Sequence, residues 1–173
     1  MEPKLSHLLD QALQHIPDPK VGLPQEAFYF VSQLSPMVSV ELLIKNKNGQ
    51  TLLTWRDDGF HGPGWHLPGG IIRFKENIED RIAKVAESEL GCGVSFADKP
   101  IDVRGIINTE RDIRGHFITL LYLCELDGLP DSAKQLLSLT PEAGQWAWHD
   151  LPPPNLIKVH EVYRYFINEV LPL

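Results

Sequence analysis

The sequence predicts an α/β fold: an α/β/α sandwich around a mixed β-sheet. Strand-like apolar stretches precede and follow one amphipathic helix at residues 77–91. The nearly continuous apolar run at 117–126 suits a strand buried on both faces. A second helical pattern follows residue 155. Strands, one central helix, more strands and a terminal helix form an order that suits helices on both faces of one sheet.

The N-terminal part predicts two short helices. Residues 5–16 carry apolar side chains at helical spacing, and the prolines and glycine between residues 17 and 24 indicate a linker. A second helix, rich in aromatic residues, is expected from Pro24 to about Gln33. We therefore expect residues 1–34 to form an N-terminal helical extension and residues 35–173 a single domain. The extension is compatible with capping the core or with pairing two subunits.

A β-hairpin is predicted next. Residues 37–45 have the pattern of a strand, Asn48-Gly49 is a typical two-residue turn, and residues 51–56 form the returning strand. The segment at 57–68 is expected to be irregular because it holds several glycines and prolines. Such a glycine-rich segment beside a helix can approach a phosphate group closely.

The central helix is predicted from its ends and its apolar stripe. Asn77 is a suitable N-cap with Asp80 three residues later, as in a capping box, and Gly91 provides a C-terminal stop. Glu89 falls inside the apolar stripe of this helix, at about 100° per residue. A carboxylate there must reach solvent, be paired, or bind a cation, because burying it unpaired costs several kcal/mol. The stripe is formed by Ile78, Ile82, Val85, Ala86 and Leu90.

Four strands and a terminal helix are predicted after the central helix. The strands are expected at Val94 to Phe96, Val103 to Glu110, Phe117 to Leu126 and Gln145 to His149. Three prolines at 152–154 end the last strand, and Asn155 is the expected N-cap of the helix. The apolar positions of this helix are Leu156, Val159, Tyr163, Phe166, Ile167 and Val170.

Composition limits the possible partners and compartment. The formal net charge of −7 argues against nucleic acid held by bulk electrostatics. The apolar runs are too short to cross a membrane, and the chain does not open with a signal peptide. Cys92 and Cys124 predict neither a disulfide framework nor a zinc site. We therefore expect a cytoplasmic protein that binds neither nucleic acid nor membrane.

The region around the central helix resembles the Nudix hydrolase box. The family pattern is Gly, five residues, Glu, seven residues, then Arg-Glu-apolar-any-Glu-Glu-any-Gly-apolar. Lys84 replaces the arginine, and Val85 and Ser88 replace two metal-binding glutamates, so the box is degenerate. The matching residues are Gly70, Glu76, Ala86, Glu89, Gly91 and Cys92.

Within this family, residues 25–150 look most like the GDP-mannose mannosyl hydrolase branch, which lacks the same two glutamates. The resemblance implies the Nudix fold, a Mg²⁺ cofactor with Mn²⁺ as a possible substitute, and a homodimer. It also implies a substrate in which a nucleoside diphosphate is linked to a sugar, such as GDP-mannose.

The resemblance assigns metal ligands to three positions: Gly69, through its backbone carbonyl, Glu89 and Glu142. Glu89 could instead be a surface glutamate that reaches solvent, and Glu142 an acid in an exposed turn. Glu76 is expected to be structural, as a first-turn acid or in a salt bridge, with Lys84 as its partner.

The remaining site residues are expected to contact the substrate. Arg56 is the candidate diphosphate clamp, because its planar fork fits two phosphate oxygens, and we assign it a catalytic role together with Glu89. His116 is the candidate catalytic histidine and His66 a substrate-binding one, although either could be structural. Glu41 could bind a guanine edge or point outward from its strand. Arg73 lies two residues after the position at which the GDP-mannose mannosyl hydrolase branch has an arginine.

Two functions of different classes follow. The first is a Mg²⁺-dependent nucleotide-sugar hydrolase, with attack at the sugar carbon or at phosphorus. The second is a catalytically weak or inactive Nudix-fold protein that binds a nucleotide or a protein partner. Val85 and Ser88 favour the second, as does Ala143, which stands where the mannosyl branch has its histidine base. The retained Glu89 and the pair Gly69-Gly70 favour the first.

Overall fold

A computed structural model describes residues 4–169 of the chain, in which eight strands form one mixed sheet. The central pair, β1 and β7, is parallel, and every other strand pairing is antiparallel. The strand order is β3-β2-β1-β7-β5, with β4 on β1, β6 on β7 and β8 on β2. The strands are β1 (Met37–Lys45), β2 (Thr51–Arg56), β3 (Gly64–His66), β4 (Gly69–Ile71), β5 (Val94–Phe96), β6 (Asp102–Ile107), β7 (His116–Leu126) and β8 (Trp146–His149).

Four α-helices accompany this sheet among residues 4–169. The mixed α/β fold expected from the sequence is confirmed. Residues 1–3 of the expected extension and residues 170–173 of the expected domain lie outside the described residues. The expected helix position Val170 is among them. None of the described helices combines the length and apolar character needed to cross a membrane. The helices are α1 (Leu5–Gln14), α2 (Gln25–Ser32), α3 (Ile78–Leu90) and α4 (Arg164–Asn168).

Strand β1 divides the core into two layers. Its side chains alternate between the sheet faces, as the two-residue period of a strand requires. Val40, Leu42 and Ile44 pack in one cluster with the apolar stripe of α3. Leu43 packs on the opposite face in a second cluster, which includes Tyr163 from the C-terminal segment. Glu41, which has the same parity as Leu43, is therefore directed to the C-terminal face.

Helix α3 occupies the predicted range. It begins after Asn77, and Gly91 follows it at φ 69°, a left-handed conformation that glycine adopts without a Cβ penalty. The expected capping box is wrong in one respect. The Asn77 side chain makes no cap hydrogen bond to the helix backbone. It contacts Asp80 instead, with Nδ2 to Oδ2 at 3.4 Å.

Two short strands were not predicted in the glycine-rich segment. Trp65 of β3 lies opposite Trp55 of β2, and Gly69 of β4 lies opposite Glu41 of β1. Three residues are too few to give a recognisable alternation, so only the neighbouring strands define these two. The strand expected at Val103 to Glu110 is observed at Asp102–Ile107.

The expected continuous helix from Asn155 is wrong. The Asn155 carbonyl accepts a hydrogen bond from Trp65 N–H, and Ile157 N–H donates to the Trp65 carbonyl. This strand-like pairing with β3 prevents Asn155 from acting as an N-cap. The chain then forms a 3₁₀ helix at Lys158–Tyr163, followed by the single turn of α4.

The two N-terminal helices lie where the sequence predicts them. Helix α1 buries none of its residues, and its leucines are exposed. Helix α2 contacts the segment after β2, where the ring of Tyr29 packs edge-on against Phe60 at 5.7 Å. The expected homodimer stays a prediction.

Glu76 forms a small buried charge network at the start of α3. Its Oε2 accepts hydrogen bonds from Arg81 Nε at 2.8 Å and Arg73 N–H at 2.9 Å, and its Oε1 accepts from Lys84 Nζ at 2.8 Å. Only 4% of the Glu76 side chain and 9% of the Arg81 side chain is exposed. Although burial opposes ionisation, these hydrogen bonds lower the pKa of Glu76 from 4.5 to about 2.

Replacing Glu76 with Gln should lower the free energy of unfolding by about 3 kcal/mol, because the buried Arg81 guanidinium loses its counter-charge. Because the pKa of Glu76 is lowered in the folded state, the stabilisation by its ionised carboxylate is complete above pH 4.5 and is lost as the pH falls toward 2. Chemical denaturation between pH 3 and 7 measures the difference, with Glu79→Gln, an exposed first-turn acid, as the matched control. Equal stabilities of the two variants at pH 7 would contradict the role of this network.

Candidate active site

Two adjacent cavities lie at the edge of the central strands and share Arg56 and His66. We call the first the arginine cavity; its lining includes Glu41, Gly69, Asn108, Arg111, Arg114 and His160. We call the second the glutamate cavity; its lining includes Thr54, Asp57, Asp58, Ser88, Glu89 and Lys134.

Glu89 links three elements at the glutamate cavity. Its Oε1 accepts a hydrogen bond from Gly69 N–H of β4 at 3.0 Å, and its Oε2 accepts from the Thr54 hydroxyl of β2 at 2.7 Å. The side chain is half-buried, and burial raises its pKa above the usual value despite these two hydrogen bonds. The position of Glu89 inside the apolar stripe thus directs its carboxylate to the sheet rather than to bulk solvent.

His66 is a neutral imidazole beside the same hydroxyl group. Its Nδ1 lies 2.7 Å from the Leu67 carbonyl, which can only accept, so Nδ1 carries the proton. Its Nε2 lies 3.1 Å from Thr54 Oγ1. Burial, followed by the charge of Arg56, lowers the pKa of His66 to about 3. His66 therefore presents an uncharged nitrogen at the boundary of the two cavities.

Glu41 is a buried carboxyl group in the arginine cavity. Its Oε1 accepts from the Ser39 hydroxyl at 3.2 Å, and its Oε2 lies 3.7 Å from His160 Nε2. Burial raises the pKa of Glu41 to about 8. Gly69 lies so close that a Cβ atom there would overlap Glu41 Oε2, which explains why β4 carries glycine at this position.

His160 is a site residue that sequence reasoning missed. Its Nδ1 accepts a hydrogen bond from Leu67 N–H at 3.0 Å, so in the neutral ring the proton is on Nε2, toward Glu41. Burial lowers the pKa of His160 well below its usual value. The 3₁₀ turn delivers this residue from a segment that the sequence presents as an amphipathic helix.

Arginines form one wall of the arginine cavity. Arg111 and Arg114 come from the loop between β6 and β7, and Arg56 comes from the end of β2. Arg56 Nε lies 3.3 Å from Asp58 Oδ2, and His61 also lines the cavity. Sequence reasoning missed the two loop arginines, although their spacing within a short polar loop is visible in the sequence.

The structure brings some of the expected site residues together and leaves others apart. Arg56, Glu41, His66, Gly69 and Glu89 all lie at the two cavities or on their boundary. The other three expected residues do not line either cavity. His116 is half-buried in β7, Arg73 is exposed beside Gly22, and Glu142 is exposed next to residues 143 and 144, which line the glutamate cavity.

The oxygen atoms of Glu89 fit a metal ion that takes most of its other ligands from water and substrate. Residues 4–169 contain no group of three or more His, Cys, Asp and Glu side chains placed to hold a metal. Each oxygen of Glu89 accepts one hydrogen bond and keeps a further lone pair. Mg²⁺ commonly binds one or two carboxylates and completes its shell with waters and substrate phosphates. One Mg²⁺ therefore fits better than a multi-metal cluster.

Replacing Glu41 with Gln should stabilise the protein at pH 8 and have little effect near pH 4.5. The folded state holds the Glu41 proton up to about pH 8, whereas the ordinary pKa is 4.5, so rising pH removes stability across this interval. The slope for one group is about 1.4 kcal/mol per pH unit. Thermal unfolding of the wild-type protein and the variant from pH 4.5 to 8.5 measures how their stability difference changes with pH. Glu125→Gln, at an exposed glutamate, is the control. A constant difference across this range would refute the buried, protonated carboxyl group.

Comparisons with known proteins identify the family of the chain. The family model for the NUDIX domain matches residues 35–170. The low-salt glycan biosynthesis protein Agl8 of Haloferax volcanii is 26% identical over 113 residues, which are 63% of this chain and 71% of that protein. The ADP-ribose pyrophosphatase of Methanocaldococcus jannaschii is 27% identical over 96 residues, 55% of this chain and 54% of that protein. This chain thus spans about half the length of the second relative.

A solved structure extends the likeness to the fold. The MutT NUDIX hydrolase of Burkholderia pseudomallei superposes with a TM-score of 0.58 at 23% identity, covering 76% of this chain and 97% of that one. The family match covers most of the chain and includes α3 with Glu89 and the cavity-lining strands. The chain belongs to the Nudix hydrolase family.

Proposed function

We propose that this protein is a Mg²⁺-dependent hydrolase of a nucleoside diphosphate linked to a sugar, such as a GDP-mannose-like nucleotide sugar. The observation that carries the proposal is Glu89, a half-buried carboxylate that Gly69 N–H and the Thr54 hydroxyl hold at a cavity shared with Arg56. Members of this family generally act on nucleotides with a divalent metal ion. The two relatives support the substrate class, since one is a glycan biosynthesis protein and the other an ADP-ribose pyrophosphatase.

Glu89 would hold the metal ion, with the backbone of Gly69 beside it. Glu142 is a third candidate, because its exposed side chain is adjacent in sequence to residues that line the glutamate cavity. Mg²⁺ bound there would neutralise negative charge on the diphosphate leaving group. Lys134 adds a fixed positive charge at this cavity, where its Nζ donates to the backbone carbonyls of Ser88 and Glu89 at 2.8 and 3.3 Å.

Arg56 would orient the diphosphate. It lines both cavities, and its fork can bind two phosphate oxygens at once. Glu41 and His160 lie on the far side of Arg56, where a protonated carboxyl group and an imidazole N–H offer hydrogen-bond donors to hydroxyl or carbonyl oxygens of the substrate. The small carboxylate set suits activation of a leaving group by one metal ion, with attack at the sugar carbon or at phosphorus.

A binding protein without turnover is the second candidate function. Val85, at a position where the family has a metal-binding glutamate, is buried in the core with α3 and β1. The hydroxyl of Ser88, at the second such position, donates to the Val85 carbonyl. Neither side chain is a carboxylate, so a second metal ion has no carboxylate ligand from α3 at these positions.

Replacing Glu89 with Gln should lower kcat/KM for any confirmed substrate by about a hundredfold or more, because metal charge stabilisation is worth several kcal/mol. Glu87→Gln is the matched control, since Glu87 is an exposed acid two residues earlier on the same helix. Steady-state kinetics at saturating Mg²⁺, with circular dichroism to verify folding, measures the effect. Unchanged turnover in Glu89→Gln would overturn the metal assignment.

Hydrolysis of GDP-mannose and other nucleoside diphosphate compounds in ¹⁸O-labelled water should place the label in one product. Label in the free sugar establishes attack at the sugar carbon, and label in a phosphate product establishes attack at phosphorus. Mass spectrometry of both products reads the result, and reactions with EDTA in place of Mg²⁺ should stop. Binding without turnover across the panel would instead establish the second candidate function.

A further inference from the structure

The loop at residues 108–115, between β6 and β7, holds two arginines in a fixed arrangement. Asn108 N–H donates to the Gly115 carbonyl at 2.7 Å, which closes the loop, and Arg114 N–H donates to the Ser32 hydroxyl of α2 at 3.1 Å. Arg114 has φ 56°, a left-handed conformation that costs a non-glycine residue about 1–2 kcal/mol. A large charged residue kept in such a conformation is typical of a functional position.

Aromatic rings and a carbonyl group fix the two guanidinium groups. The Arg114 guanidinium carbon lies 4.5 Å from the ring centre of Phe60 and 5.7 Å from that of Phe28. Arg111 Nη1 donates to the Phe60 carbonyl at 2.8 Å. These contacts orient the arginines without neutralising their charge, because neither rings nor a carbonyl carry a full negative charge.

The two arginines have unused hydrogen-bonding capacity. The Nε–H groups of both Arg111 and Arg114 are buried, and within residues 4–169 they find no acceptor. Across the same residues neither side chain forms an ion pair, whereas Arg56 is paired with Asp58. A buried donor without an acceptor costs about 1–3 kcal/mol, and a shift of either side chain that brings its Nε–H to an oxyanion in the cavity would recover this energy.

The cavity in front of these arginines is positively charged. Burial and the nearby charge of Arg56 lower the pKa of Arg114 from its usual value, which indicates that like charges are close together. Among the residues that line this cavity, three are arginines and one, Glu41, is an acid. An anion in the cavity would relieve this repulsion.

We propose that Arg111 and Arg114 form an anion subsite that binds a second negatively charged group of the substrate, a carboxylate or a phosphate on the part joined to the diphosphate. Arginine forks match the geometry of both oxyanions. Because Arg56 lines both cavities, a diphosphate at Arg56 and Glu89 would place its attached group in the arginine cavity. This inference rests on the proposed function and narrows its substrate class to compounds that carry an anionic group in addition to the diphosphate.

Matched substrate pairs test the subsite. UDP-glucuronate differs from UDP-glucose only by a carboxylate in place of the hydroxymethyl group of the sugar, and ADP-ribose 1″-phosphate differs from ADP-ribose only by a phosphate on the terminal ribose. In each pair we call the compound with this additional anion the charged member and the other compound the neutral one, since both carry the diphosphate. The wild-type protein should favour the charged member of one pair by about tenfold or more in kcat/KM, the discrimination expected when buried polar groups would otherwise stay unpaired. The pair that shows the preference identifies the anion.

Arg114→Gln and Arg111→Gln should reduce that preference to about twofold or less, because the charged member loses more than the neutral one when the arginine fork is removed. Arg114→Lys should keep part of the preference, because it keeps the charge. Arg104→Gln is the control, since Arg104 pairs with Asp102 on β6 and lines neither cavity. Equal wild-type rates within both pairs, or equal losses for charged and neutral substrates, would overturn the proposal.

Binding measurements separate this proposal from the proposed function. If none of the four compounds is hydrolysed, isothermal titration calorimetry of the same pairs with Mg²⁺ still measures the preference. Tighter binding of a charged member, lost in Arg114→Gln, would support the subsite independently of hydrolysis, which the GDP-mannose panel tests. Equal or undetectable binding within both pairs would reject the subsite itself.

Discussion

The carboxylate of Glu89 is the contact on which the site depends. It joins α3 to β4 through Gly69 N–H and to β2 through the Thr54 hydroxyl, and these are the three elements that surround the glutamate cavity. A half-buried acid is stable there because two donors of the sheet face it. The same two donors leave lone pairs on each oxygen, so the group that organises the cavity also remains able to bind a cation.

Much of the fold follows from local sequence patterns. The first hairpin and α3 were predicted within a residue because turn chemistry, a left-handed glycine and a stripe of period 3.6 are local properties. Strands β3 and β4 were not predicted because three residues are too few to show an alternation. The 3₁₀ turn at Lys158–Tyr163 was not predicted because it follows from pairing with Trp65, which is distant in sequence. His160 was missed for the same reason: only the pairing of residues 155–157 with Trp65 turns it toward Glu41.

The substitutions in the box change how the family chemistry can be performed. Val85 contributes to the core instead of a metal site, so α3 gains apolar packing where other members bind a second metal ion. Four basic side chains line the two cavities: Arg56, Lys134, Arg111 and Arg114. On the proposed function, these side chains would supply positive charge that a second metal ion supplies in other members.

The C-terminal segment contacts the sheet across long stretches of sequence. Leu67 N–H meets His160 across 93 residues, and Lys45 Nζ meets the Ile167 carbonyl across 122. Closing longer loops costs more chain entropy, and contacts of long range form more slowly. We therefore expect the pocket wall formed by His160 to be completed late in folding, after the strands on which it packs.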